Sequence, residues 1–193
     1  MDMVDQADVG SPSQDPRIER TRAHVLDHAR NLLASGGPSA VTYSELAARA
    51  RVTRQTLYRH WPTREALIVD LVLEQSMAGM PDGTGTPEQI VSEFLRRMRD
   101  DLGDPYYSAP LVAVMAQAHH EPASRCALGQ VVVGVRDALN ALLEPAGRCV
   151  TPEDYSRLSG PVIFGRVIAR ETITDEFIDD LVTEWSQRSQ MRT

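Results

Sequence analysis

Seven of the eight residues from Thr53 to His60, TRQTLYRH, carry hydrogen-bonding side chains. The chemistry open to such a run is recognition of base edges and phosphates. An Arg fork matches the two acceptors of guanine, Gln matches adenine, and Thr can meet a thymine methyl or a phosphate. A helix seated in the major groove reads bases from its N-terminal residues. Arg54 and Gln55 are therefore the candidate base readers, with Thr56 beside them. Tyr58, His60 and Arg64 suit phosphate oxygens, and Thr42, Tyr43, Thr53 and Arg59 complete the candidate contact set. A polar helix facing water has the same composition, so the elements that position the run must decide.

Those elements are legible. Thr42 followed by Glu45 has capping-box spacing, Thr53 caps a second start and Thr63 a third. Tyr43 to Ala50 places Leu46, Ala47 and Ala50 on one stripe. Arg54 to Trp61 places Leu57 and Trp61 on another. Only Arg51, Val52 and Thr53 separate the two, which is the spacing of a helix-turn-helix. Charge points the same way. Net charge is −7, yet residues 17–64 hold nine Arg against Glu19, Asp27 and Glu45, a net of +6, so the remaining segments carry −13. A basic head on an acidic body turns the head toward nucleic acid. All 20 basic residues are Arg.

The stretch from Arg17 to Leu73 resembles the DNA-binding domain of the TetR family of ligand-responsive transcriptional regulators. The resemblance rests on Thr42, Leu46, Ala47, Val52-Thr53, Thr56-Leu57-Tyr58 and Thr63-Arg64-Glu65-Ala66-Leu67, with Trp61 where the family usually has Phe. Arg51 stands where the family usually has Gly in the turn. If Arg51 takes a left-handed conformation it costs about 1–2 kcal/mol, which its charge at a helix C-terminus offsets by about 0.3–1 kcal/mol. The resemblance implies an all-α homodimeric repressor that binds double-stranded DNA at an inverted-repeat operator and leaves it when a small effector binds.

The rest of the chain predicts nine helices and no strand. Residues 1–14 read as a disordered arm, 15–66 as the DNA-binding head and 67–193 as an effector-binding and dimerisation body. Asp15-Pro16 starts a helix to about Ser35 with Ile18, Val25, Leu26, Ala29, Leu32 and Leu33 inward, and Arg17, Arg20 and Arg22 near phosphates. Further helices run over Arg64–Ala78, Thr86–Gly103, Tyr106–His120 and Ala123–Leu143. Two more run from Thr151 to about Ala169 and from Thr174 through Trp185. The resemblance places an effector pocket among the body helices, where Met77, Phe94, Met98, Tyr106, Tyr107, Met115 and Phe164 suit an apolar or aromatic ligand. It places the dimer contact on the last two helices, with Gly160, Val162, Ile163, Val167, Phe177, Leu181 and Trp185 as candidates.

Other chemistries find little support. His119-His120-Glu121 puts adjacent ligands about 100° apart on a helix and supplies no third spaced ligand, so no metal is expected. Cys126 and Cys149 have no metal or disulfide spacing and read as small buried residues. No nucleophile elbow or phosphate loop suggests an enzyme or a cofactor. No signal peptide or membrane span is apparent, so a cytoplasmic protein is expected. The competing readings are a helical metal-dependent hydrolase and a helical interaction protein that does not bind DNA.

Overall fold

The computed structural model describes residues 16–191, among which the chain forms nine α-helices and no strand. The expected N-terminal arm and the Asp15 cap lie outside those residues. Helix α1 spans Pro16–Gly36, α2 Tyr43–Ala50, α3 Arg54–His60 and α4 Arg64–Ala78. Helices α5 (Pro87–Gly103), α6 (Pro105–Ala118), α7 (Pro122–Leu143), α8 (Pro152–Ile163) and α9 (Asp175–Gln190) follow.

Threonine hydroxyls define the starts. Thr53, Thr63 and Thr174 each accept the backbone N–H three residues on. Thr86 with Gln89 and Thr151 with Asp154 form complete capping boxes, each followed by proline at the first helical position. The box expected at Thr42 is only half formed. Thr42 accepts from Glu45 N at 3.2 Å, but the Glu45 carboxylate pairs with Arg49 at 2.7 Å, and Thr42 N–H donates to Ala40 O instead.

In the head, Val25, Leu26, Leu46, Ala50, Leu57 and Trp61 are buried together with Leu67 and Ile68 of α4. Arg51 ends α2 at φ 53°, ψ 41°, the left-handed conformation that the short turn demands. Helix α3 is one residue shorter than its apolar stripe suggests. Trp61 is extended and caps it, and its indole N–H donates to Asp70 of α4 at 2.8 Å. Asp70 also accepts the Arg22 fork. Arg22, expected near phosphates, is thus engaged in holding α1 on α4. Ile18, expected inward, is 42% exposed, in a shallow groove beside Thr56 and Arg59.

Helix α4 runs unbroken across the expected head–body boundary at 66/67, and packs on α1, α6 and α7. Arg30 of α1 is buried, pairs with Glu74 of α4 at 3.1 Å and lies over the Tyr106 ring of α6. Tyr106 Oη donates to Asp27 at 2.5 Å, so α1, α4 and α6 meet in one polar cluster. At the other end of the body, Arg148 stacks on the Trp185 ring and donates to Glu88, Ser186 and Ser189. That cluster ties α9 to the start of α5.

Three further expectations are corrected. The eighth helix does not stay α-helical to Ala169. Pro161 has no N–H to donate, and Phe164–Ala169 form a π-helical turn that ends on left-handed Arg170. Both cysteines are exposed rather than buried. Helix α6 ends at Ala118, with the His119 and His120 rings edge-to-face at 4.8 Å. Among the described residues one segment, Ser124–Ala146, is long and apolar enough by length and composition to cross a membrane. Its Val131, Val135, Leu139 and Leu143 form a stripe buried against the body.

Candidate functional site

Helix α3 stands on the outside of the head. Leu57 alone of its residues is fully buried, and Thr53, Arg54, Gln55, Tyr58 and Arg59 are exposed. Arg54, Gln55 and Arg59 have no protein partner among the described residues, so their donors are available. Thr56 and His60 are half-buried. The Thr56 hydroxyl pairs with that of Thr53 at 2.9 Å, which fits both to shaping the helix start as well as to facing a ligand. Tyr58 stands edge-on against Tyr43 at 4.6 Å between ring centres. Tyr43 donates to Trp61 O at 2.5 Å, and burial, with the Tyr58 and Glu65 side chains, pushes its hydroxyl up to about 12. Tyr43 therefore braces Tyr58 and the end of α3. Arg64 is half-buried against Glu65 and Pro38 O, and Thr42 is exposed. Sequence reasoning treated Arg51 only as a conformational problem. In the fold it is an exposed Arg beside Arg17, Thr53 and Arg59 on the same outer face.

A second concave site lies in the body. A cavity of about 330 Å³ is enclosed by α4, α5, α6, α7 and α8. Of the seven residues expected to line it, Phe94, Met98 and Tyr107 do. Met77, Met115 and Phe164 are instead 47%, 37% and 58% exposed, and Tyr106 turns to Asp27 and Arg30. Met77 and Tyr106 lie on other faces of their helices from the cavity, Met115 lies a turn beyond Leu111 on the lining face, and Phe164 lies past the end of α8. Residues missed from sequence include Gln75, Arg97, Asp101, Tyr155, Ser159 and Val135. One signal was available, because Phe94, Met98 and Asp101 recur at the spacing of a single helix face. Burial raises the Asp101 carboxyl above the usual carboxylate range, and Asp100 and Asp104 push it the same way while Arg97 and Gln75 oppose them.

Residues 25–71 match the family model described as bacterial regulatory proteins, tetR family. Along most of the chain the protein is similar to the HTH-type transcriptional regulator YdeS of Bacillus subtilis, with 24% identity covering 86% of this chain and 88% of YdeS. The HTH-type transcriptional regulator Rv1556 of Mycobacterium tuberculosis is 24% identical over 79% of each chain. Residues 25–71 of this chain are a tetR-family DNA-binding domain. Solved structures share the fold. The TetR family transcription regulator SCO0332 superposes with a TM-score of 0.67 at 24% identity, covering 86% of this chain and 96% of that one. The multidrug binding protein EbrR, complexed with ethidium, gives 0.62 at 20% identity, covering 89% and 99%. The tetR-family assignment makes the chain a transcriptional regulator with a helix-turn-helix head.

In this chain the terminal helices divide the expected contact residues. Val162 and Trp185 are fully buried inside the single chain and are withdrawn from any surface. Gly160 and Ile163 face the cavity. Val167 and Leu181 are half-buried, and Phe177 is 40% exposed. The π-helical turn exposes Phe164 and also Ile168, at 62%, which sequence reasoning passed over.

Proposed function

We propose that this tetR-family regulator is a homodimeric repressor, with a head at 15–66 and a body at 67–193. It binds an inverted-repeat operator through α3 and is released by a small apolar or aromatic molecule held in the α4–α8 cavity. One observation carries the reading. Val72, Gln75 and Ser76 of α4 line the cavity, while Asp70 on the same helix, one turn earlier, holds Trp61 at the end of α3. A ligand that favours a different placement of α4 therefore acts on the recognition helix through a rigid element, and DNA must weaken that ligand's binding by the same factor. Exposed, unpaired Arg54, Gln55 and Arg59 support DNA reading by α3. EbrR, whose structure holds ethidium, supports a ligand in the corresponding body. A cytoplasmic location and the absence of catalysis follow from this role.

The test is retention of genomic DNA fragments by the purified protein, followed by anisotropy on the recovered sequence. The reading expects an inverted repeat with half-sites spaced by about 10–10.5 bp or a multiple. Failure to bind any duplex at low salt without a ligand would sink it.

A further inference from the structure

The wall of the cavity is largely aromatic and apolar, with Gln75, Arg97 and Asp101 among its polar members. Phe94, Tyr107 and Tyr155 present rings to it, with Val131, Val135 and Leu128 between them. Phe94 and Asp101 lie on the same face of α5 seven residues apart, which is about 10 Å along the axis. Asp101 is withdrawn from water, with its side chain only 19% exposed. Its nearest cation is Arg97, 3.6 Å away and 60% exposed, too distant for a hydrogen bond and screened by solvent. The carboxylate therefore stands in the wall of an aromatic chamber with a weak counter-charge and a hydrogen bond from Gln75. Asp100 and Asp104 add negative potential around it. Electron-rich ring faces and a desolvated carboxylate are complementary to the same ligand charge.

We infer that the cavity selects a cationic amphiphile, with an aromatic body against Phe94 and Tyr155 and an ammonium-type head about 10 Å away at Asp101. The inference rests on the cavity being the ligand site proposed above and adds the sign of the ligand's charge. The length of the chamber sets the span between ring and charge. Arg97 competes with the ligand for Asp101.

Three probes of one shape separate the alternatives: 4-phenylbutylammonium, 4-phenylbutan-1-ol and 4-phenylbutyrate, titrated calorimetrically into the full-length protein without DNA. The ammonium should bind most tightly, the alcohol more weakly and the carboxylate most weakly of the three. Asp101→Asn should lower ammonium affinity about tenfold, to the level of the alcohol, and leave the alcohol unchanged. Arg97→Ala, at an exposed position, should strengthen the ammonium and not the alcohol. If Asp101→Asn does not fold, Arg97→Ala decides alone. Equal binding of the three probes, a preference for the carboxylate, or no binding by any at millimolar concentration would overturn the inference. So would an ammonium preference that Asp101→Asn retains or that Arg97→Ala weakens. An ammonium that binds as described yet leaves the operator occupied would refute ligand release and leave the charge selectivity standing.

Discussion

Arg51 offers a test in which the sign alone is diagnostic. It stands at φ 53°, ψ 41° in the turn between α2 and α3, and its side chain is exposed. A residue with a Cβ in that conformation costs about 1–2 kcal/mol, which glycine does not incur. Removing the guanidinium from the C-terminus of α2 costs about 0.3–1 kcal/mol. Arg51→Gly should therefore change stability by a net gain of between about 0 and 1.7 kcal/mol. The pair Arg51→Ala and Arg51→Gly removes the charge from both arms and isolates the backbone. In a right-handed helical position glycine is about 0.5–1 kcal/mol less stable than alanine. At this left-handed position the order should reverse by about 1 kcal/mol. For a chain of this length that corresponds to a difference of about 2–4 °C in Tm. Urea titration monitored by circular dichroism gives the free energies, and comparison of slopes checks that the unfolded states match. Arg51→Gly less stable than Arg51→Ala would refute the strained turn.

Replacing Arg54 or Gln55 with Ala should cost about 1–3 kcal/mol of specific affinity and relax one base position per half-site, read by binding to a library of operator variants. Arg64→Ala should weaken specific and scrambled duplexes alike and make the salt dependence shallower by about one unit, measured by anisotropy across ionic strength. Ile168→Arg, on the exposed π-helical turn, should convert dimer to monomer in sedimentation equilibrium with helix content unchanged; an intact dimer would place the contact elsewhere. The Ser186 hydroxyl, with Arg148 and the Thr86 side chain, holds Glu88 below the ordinary glutamate value of 4.5. The stability this adds is present above that value and is lost as pH falls through the lower folded value. Glu88→Gln should therefore flatten the acid limb of the stability–pH curve below about pH 4.5, as followed by thermal melts.

Helix starts were readable because a capping threonine acts on the N–H three residues away, a strictly local relation. Thr53, Thr63 and Thr174 each make that bond. Glu45 shows the limit of the same logic, since the longer side chain had a choice and took Arg49. The left-handed turn at Arg51 was likewise local. What sequence left open was which partner covers an apolar face. Trp185 and Val162 have the same apolar character whether a neighbouring helix or a second subunit buries them, and only the packing of α9 on α5 and α8 decides for their own chain. The cavity was half legible for a similar reason. Residue type marked Phe94, Met98 and Tyr107, but Met77 stands on another face of α4 and Met115 stands a turn beyond the lining of α6, and both are exposed. Asp101 was missed because a carboxylate three residues beyond Met98 reads as surface until the fold closes over it.

The cavity wall is shared unequally between helices that answer to the head and helices that do not. Val72, Gln75 and Ser76 stand on α4, which also anchors Trp61 and Arg22. A change at those three positions alters the ligand's surroundings and the placement of the reading helix together. Phe94, Val131, Val135 and Tyr155 stand on α5, α7 and α8, whose extensive packing is with other body helices and with α4 rather than with α1, α2 or α3. On the proposed reading, ligand preference can drift at Phe94 and Tyr155, whose helices do not pack extensively on α4, while operator specificity is kept.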